Sequence, residues 1–311
     1  MNAGALLTVA QHHDGKHPMT ASGEQPPTDE PSDPTAKRAS RQGTSPHGSD
    51  LRGLTGLFER LLRRYKGLVH ILTLAPMYLA GSLILGLAVT PSVAIANQMW
   101  RLVASTNVLI KYPVMGATLA ACFFTYGFTL ILIVPVCNRI FVGKLKPWRG
   151  PYYSAATARW YIHNGLTYLV RYTFLEFITP TPFNNFFFRQ MGMKIGRGAQ
   201  INTANISDPS LIELGDRVTI GGSATVVGHY GQGGYLVLAP VRIGDGATIG
   251  LRATIMGDVT VGEQSRILPN SVVLPKTKIP AGETWGGVPA TKIERRSSGN
   301  RPETTEDERD S

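Results

Sequence analysis

His229 is the residue whose type and place most invite chemistry. It is the only histidine after His163, and it stands near the start of a stretch, Gly228–Pro240, that interrupts an otherwise regular pattern. Moving an acyl group from a thioester to a hydroxyl or amine needs a base that is unprotonated near neutral pH. Imidazole, with an unperturbed pKa of about 6.5, meets that need. Asp208 and Glu213 lie upstream and could orient the ring from behind, whereas Asp216 reads as a corner residue. The glycines of the stretch would let backbone N–H groups approach a developing oxyanion. No Gly-x-Ser-x-Gly elbow marks a nucleophile, so direct transfer without a covalent acyl-protein is expected. Zinc catalysis would need about three imidazoles around the ion. The repeat region supplies one, and His12, His13 and His17 stand in a polar N-terminal stretch, so no metal site is expected.

A repeat must position that histidine. From Ile243 the chain runs in sixes that each open on an aliphatic residue: Ile243, Ile249, Ile255, Val261, Ile267, Val273 and Ile279. The fifth position is small or β-branched (Ala247, Ala253, Val259, Ser265, Ser271, Thr277), and the same phase recurs at Leu214, Ile220 and Val226 and at Ile195 and Ile201. Each six supplies one flat face of a triangular coil with its aliphatic residue inward. Three sixes make a turn, and about five stacked turns would bury a continuous column. Glycine in the second position (Gly196, Gly215, Gly221, Gly244, Gly250, Gly262) suits a corner where a Cβ would crowd. Between Val226 and Ile243 the phase slips by eleven residues, so Gly228–Pro240 must leave the coil. Solenoid insertions of this kind build sites on one face.

Upstream, Gly67–Trp100 and Tyr112–Asn138 contain no Asp, Glu, Lys or Arg. A bilayer's hydrocarbon, about 30 Å thick, needs about 20 apolar helical residues, so each run is predicted to span it. Pro76, Pro91 and Pro135 mark kinks or ends. Arg52, Arg60, Arg63, Arg64 and Lys66 precede the first span, and Arg139, Lys144, Lys146 and Arg149 follow the second. The connecting loop holds only Arg101 and Lys111, which places both termini and the repeat domain in the cytoplasm. Cys122 and Cys137 are fifteen residues apart on the second helix, about 22 Å, and cannot bridge. Residues 151–190 carry Tyr152, Tyr153, Trp160, Tyr161, Tyr168, Tyr172, Phe174 and Phe177 among Arg159, Arg171 and Glu176. They read as an aromatic connector lying at the membrane surface, with a third, poorer span as the competing reading.

The 311 residues carry 34 Gly, 21 Pro, 2 Cys and a net charge of +10. The glycines lack collagen's period, two cysteines make no disulfide scaffold, and the apolar runs exclude a wholly disordered chain. Residues 1–50 hold six prolines and no aromatic residue and are expected to be a disordered tail, as is the polar stretch 294–311. The basic excess beside the spans points to lipid, and no nucleic-acid motif accompanies it.

The repeats at 191–293, the entry Asp208-Pro209-Ser210-Leu211-Ile212-Glu213-Leu214-Gly215-Asp216 and the closing Trp285-Gly286-Gly287-Val288-Pro289-Ala290-Thr291-Lys292 together resemble the left-handed β-helix, hexapeptide-repeat acyltransferases. The family's closing signature is Gly-x-Pro-Ala-Lys, here with Thr before the Lys. The resemblance implies a left-handed parallel β-helix, a β-solenoid, behind the transmembrane helical hairpin of residues 51–150. It also implies a catalytic histidine in the extruded loop and a homotrimer. Acyl-CoA, most simply acetyl-CoA, would be co-substrate, with no permanently bound cofactor. The acyl-CoA groove would be lined by Gly250, Trp285, Gly287, Pro289, Ala290 and Lys292. Lys276, Lys278 and Arg252 are further candidates for its phosphates. With the hairpin and Phe186–Gly196, the chain is similar to the membrane-bound terminal region of nonribosomal-peptide-synthetase-like proteins of the ε-poly-lysine synthetase type. No adenylation or carrier domain is present in these residues. The expected activity is acyl transfer to a small-molecule or lipid-linked acceptor. The alternatives are a non-catalytic trimeric scaffold and a module of a peptide-synthesising assembly.

Overall fold

The computed structural model describes residues 66–152 and 154–294. The expected tails lie outside the described residues except for Glu294, as do the basic residues before Lys66.

Two long helices come first, α1 (Lys66–Val103) and α2 (Val108–Phe141). The Asn107 side chain caps α2 by accepting from the Leu109 N–H at 2.9 Å. Beside the turn the Lys111 ammonium sits 4.2 Å over the Trp100 ring. Between the helices, Ser92 Oγ donates to the Cys122 carbonyl (2.8 Å) and Cys122 Sγ donates back to the Ser92 carbonyl (3.2 Å). That reciprocal pair satisfies two polar side chains inside an apolar seam. Both cysteines are free thiols. Pro76, Pro91, Pro113 and Pro135 all lie inside the helices, so none of them ends one. Ala75–Val103 and Val108–Phe141 are long and apolar enough to cross a membrane. Leu79, Leu83, Leu109, Leu119 and Leu132 all point outward.

The connector folds back along α2. Helix α3 (Ala158–Val170) runs on through a π turn, Arg171–Leu175, and a last turn, Glu176–Ile178. Its His163 meets Asn138 near the end of α2, while Phe174 lies on Gly127, where an added Cβ would fall 2.1 Å from the ring. Phe177 then packs edge-on against Phe123, with ring centroids 5.1 Å apart. The segment therefore descends beside α2. Trp160 and Phe174, expected to face headgroups, are buried against protein, whereas Tyr172 and Phe177 are exposed. Helix α4 (Pro182–Gln190), capped by the Thr181 hydroxyl, leads back into the repeats.

The repeats form three parallel sheets that the chain visits in rotation. The first holds Lys194–Ile195, Ile212–Leu214, Val241–Ile243, Thr260–Val261 and Lys278–Ile279. The second contains Gln200–Ile201, Thr219–Ile220, Thr248–Ile249, Arg266–Ile267 and Thr284–Gly286. Ile206–Ser207, Thr225–Val227, Thr254–Ile255 and Val272–Val273 make the third. Equivalent aliphatic residues stack in register, Leu214 beside Ile243 and Ile243 beside Val261, as a β-helix requires. Ile201, Ile220, Ile249, Ile255 and Val273 are fully buried in the column. At the corners, the third residue after the aliphatic one is repeatedly left-handed, as at Arg217, Ser223, Arg252, Asp258, Gln264, Asn270 and Lys276. At Gly250 a Cβ would lie 2.6 Å from the Pro269 nitrogen of the next turn, so stacking itself demands glycine there.

The off-phase stretch is an antiparallel hairpin. A strand preceding the connector, β1 (Trp148–Pro151), pairs with its second arm; the arms are β2 (His229–Gln232) and β3 (Tyr235–Leu238). Arg149 reinforces this pairing, its guanidinium 4.4 Å from the Tyr235 ring centroid. One apolar core runs from Leu130 and Val134 of α2 through Val170 and Phe174 and then Phe187 into the aliphatic column. A smaller one joins Val142 and Leu145, just past α2, to Trp160, Leu211, Leu236 and Leu238.

Candidate active site

Asp208 adopts a left-handed backbone (φ 59°, ψ 51°) before the single turn Pro209–Leu211. Such a conformation is uncommon for non-glycine residues, with Asp and Asn among the tolerant types. It turns the carboxylate into the protein, where the residue is completely buried. The parallel register that puts Ser207 beside Val227 brings the following residues together as well. Gly228 allows the close approach, since a Cβ there would stand 2.9 Å from Leu211 Cβ and 3.1 Å from Asp208 Cβ.

The two candidate residues meet at that point. His229 Nδ1 lies 2.5 Å from Asp208 Oδ2. The other carboxylate oxygen, Oδ1, accepts from Trp160 Nε1 and from Asn164 Nδ2, each at 2.8 Å. Trp160 also presents its ring to the imidazole at 72°, with centroids 5.0 Å apart. An ionised carboxylate only accepts, so Nδ1 carries a proton, and in the neutral ring the lone pair is then on Nε2. The His229 side chain retains 23% of its exposure.

Burial alone would push the Asp208 carboxyl up. The hydrogen bonds from His229 and Asn164, with the nearby imidazoles, outweigh it and hold the group below the usual carboxylate range. His163, one residue before Asn164, is buried and bonded through Nδ1 to Asn138 Oδ1 at 2.8 Å. Burial lowers its pKa to about 4 against a smaller upward pull from Asp208. It is therefore neutral at pH 7.

Glu213 is elsewhere. Parallel pairing sets it between Lys194 and Arg242 on the first sheet, and its carboxylate meets them at 2.6 and 3.6 Å. It makes no contact with His229 because its strand lies beyond the corner that Asp208 opens. Asp216 Oδ1 accepts the Arg197 N–H at 2.8 Å across a corner, in line with its reading. Gly250 and Gly287 follow strands of the second sheet and so mark the edge leading to the third; the Gly287 N–H bonds Ser271 Oγ at 3.2 Å and the Ala290 N–H the Val272 carbonyl at 2.8 Å. Pro289 lies between these anchors. Trp285 Nε1 and Lys292 Nζ both bind the Glu283 carboxylate, at 2.8 and 2.6 Å. His229 instead follows the third sheet, at its edge with the first. Within one chain, the histidine and the closing segment stand on different edges.

The chain is similar to hexapeptide-repeat acetyltransferases. One such acetyltransferase of Vibrio cholerae matches over 39% of this chain and 85% of its own, at 22% identity and a TM-score of 0.31. A variant of GDP-perosamine N-acetyltransferase from Caulobacter crescentus, solved with CoA and GDP-perosamine, matches over 32% of this chain and 41% of its own, at 25% identity and a TM-score of 0.27. In sequence, 188 residues, 59% of the chain, are 26% identical to delta-poly-L-ornithine synthetase of Acinetobacter baumannii, and they span 14% of that protein. No protein-family model matches. These likenesses concern the fold, and the chemistry rests on the site.

Proposed function

We propose that the chain is a membrane-anchored acyltransferase that moves an acyl group, in the simplest case acetyl, from acyl-CoA to a hydroxyl or amine. The observation that carries the reading is the pairing of buried Asp208 with part-buried His229, set at a corner of the repeat with one imidazole nitrogen committed to the carboxylate. His229 Nε2 takes the acceptor's proton as its oxygen or nitrogen attacks the thioester carbonyl. The tetrahedral intermediate expels the CoA sulfur, and the proton on Nε2 passes to that thiolate, leaving the imidazole as it began. Asp208 keeps the tautomer and stabilises the imidazolium between the two steps.

In this reading the repeats close as a left-handed β-helix, and α1 and α2 cross the bilayer as a hairpin. Lys144, Lys146 and Arg149 beyond α2 support a cytoplasmic site, against Arg101 and Lys111 around the turn. Gly250, Trp285, Gly287, Pro289, Ala290 and Lys292 line the CoA groove. Because that segment and His229 belong to different edges, a neighbouring chain brings them together, which supports a homotrimer. A second reading is favoured by the poly-ornithine synthetase likeness: the same transfer would serve as one module of a larger peptide-synthesising assembly and form an amide.

Labelled acetyl-CoA turnover in membranes holding wild type or His229→Ala tests the assignment. The variant is expected to lose at least 100-fold of the transfer, and equal transfer by both would remove His229 from the chemistry.

A further inference from the structure

We infer that Trp160 and Asn164 are positioning residues for the transfer. Their two N–H groups, both aimed at Asp208 Oδ1, lock the carboxylate that orients His229 and set the pH at which the imidazole is free to act as base. This rests on the acyltransferase reading and adds to it machinery that lies outside the repeats. Residues four apart on a helix share a face, and α3 turns the face of Trp160, Asn164 and Tyr168 onto the chain leading to Asp208. Trp160 Nε1 and Asn164 Nδ2 each reach Oδ1 at 2.8 Å. One turn on, the Tyr168 hydroxyl lies 3.0 Å from Ser207 Oγ, and Arg171, next after α3, bonds Asn205 Oδ1. Helix and strand thus run side by side in opposite directions: 160 and 164 meet 208, 168 meets 207 and 171 meets 205.

The Asn164 amide donates twice, to Asp208 and to the Trp160 carbonyl at 3.1 Å, which fixes its orientation. Its oxygen is left buried with no hydrogen-bond partner among the described residues. An apolar side chain would spare that unpaired oxygen; a polar one kept against its own packing interest marks a site rather than a core. Trp160 acts on both members of the pair. Tyr152 and Tyr161 hold its ring edge-on, with centroids 5.9 and 4.9 Å away, and the same ring meets the imidazole at 5.0 Å.

The donors act on the base in a definite direction. Each N–H draws negative charge from the carboxylate. With one removed, Asp208 attracts a proton on His229 more strongly, and the imidazole is freed only at higher pH. His163 of α3 also faces Asp208 and is neutral at pH 7. Arg149 of β1 and Asp258 act on Tyr230, which alternates to the opposite face of β2 from His229.

The test measures transfer from radiolabelled acetyl-CoA by the full chain in its own membranes between about pH 6 and 9, with rates normalised to the amount of chain. Asn164→Leu is close to asparagine in size and lacks the donor, and Trp160→Phe keeps a ring without the N–H. Each variant is expected to lower the plateau rate about tenfold and to leave KM for acetyl-CoA within about twofold of wild type. Each should also move the acid limb of the profile to higher pH by about half a unit or more. A helix that merely supported the fold would reduce the active fraction without moving that limb. An unmoved limb in the variants that fold therefore overturns the inference, whatever the plateau does, and leaves the acyltransferase reading intact; Trp160→Phe alone decides if Asn164→Leu does not fold. If label transfer is the same in wild type and His229→Ala, the acyltransferase reading fails and takes the inference with it.

Discussion

Replacing Asp208 by Asn changes one atom of the site and reverses its hydrogen-bond logic. Oδ1 receives two donors, from Trp160 and Asn164, and those donors cannot turn into acceptors. The new amide must keep its oxygen there and aim its NH₂ at His229 Nδ1, which then has to accept. The proton moves to Nε2, the nitrogen required as the base. What is lost includes a 2.5 Å hydrogen bond to a fully buried carboxylate. A hydrogen bond to a charged group contributes about 1.5–3 kcal/mol. At 1.4 kcal/mol per decade this is a fall of about 10- to 100-fold in kcat, and the wrong tautomer pushes it toward the upper end. Initial-rate assays with labelled acetyl-CoA should show that fall with KM for the donor unchanged, because Asp208 is completely buried and on a different edge from the closing segment proposed to hold CoA. A kcat within threefold of wild type would refute the tautomer argument.

Two further outcomes concern stability. Because His163 is held near pKa 4 in the folded chain against 6.5 unfolded, the unfolded state binds more protons between those values. Stability therefore falls as pH drops from 7 toward 4, by roughly 3 kcal/mol from this group. Denaturation in detergent across that range should show the slope and His163→Gln should flatten it; parallel curves would contradict the assignment. Gly250→Ala places a methyl 2.6 Å from backbone of the next turn and should cost about 1–3 kcal/mol. Gly231→Ala, with nothing within 4 Å, should stay within about 0.5 kcal/mol; equal thermal melting of the two variants would mean the turns do not stack this tightly.

The repeat was legible because each short strand needs one inward aliphatic residue, and six-residue spacing survives in the sequence even where strands are two residues long. His229 stood out for the complementary reason, a break in that spacing. Choosing between Asp208 and Glu213 required the register between turns: 207 pairs with 227, so 208 falls beside the hairpin, while 213 pairs with 194 and 242. Residue types alone do not carry that arithmetic. Trp160 and Asn164 were missed as functional residues because they reach Asp208 from a helix more than forty positions away. Their only local signal is a polar residue one turn after a tryptophan on a buried face. β1 was invisible for a related reason, since Trp-Arg-Gly-Pro has no strand pattern and pairs only with a hairpin formed some eighty residues later.

The three hydrogen bonds on Asp208 also determine where this protein can be divided. A fragment beginning after Gln190 would keep His229, Asp208 and every stacked turn. It would leave a buried carboxylate oxygen stripped of its two donors and the hairpin without its third strand. The segment before the repeats is consequently not an interchangeable leader. Grafting these repeats onto other helices would preserve their shape and lose the polarity of their centre, because α3 and β1, which precede the repeats, complete the surroundings of Asp208 and His229.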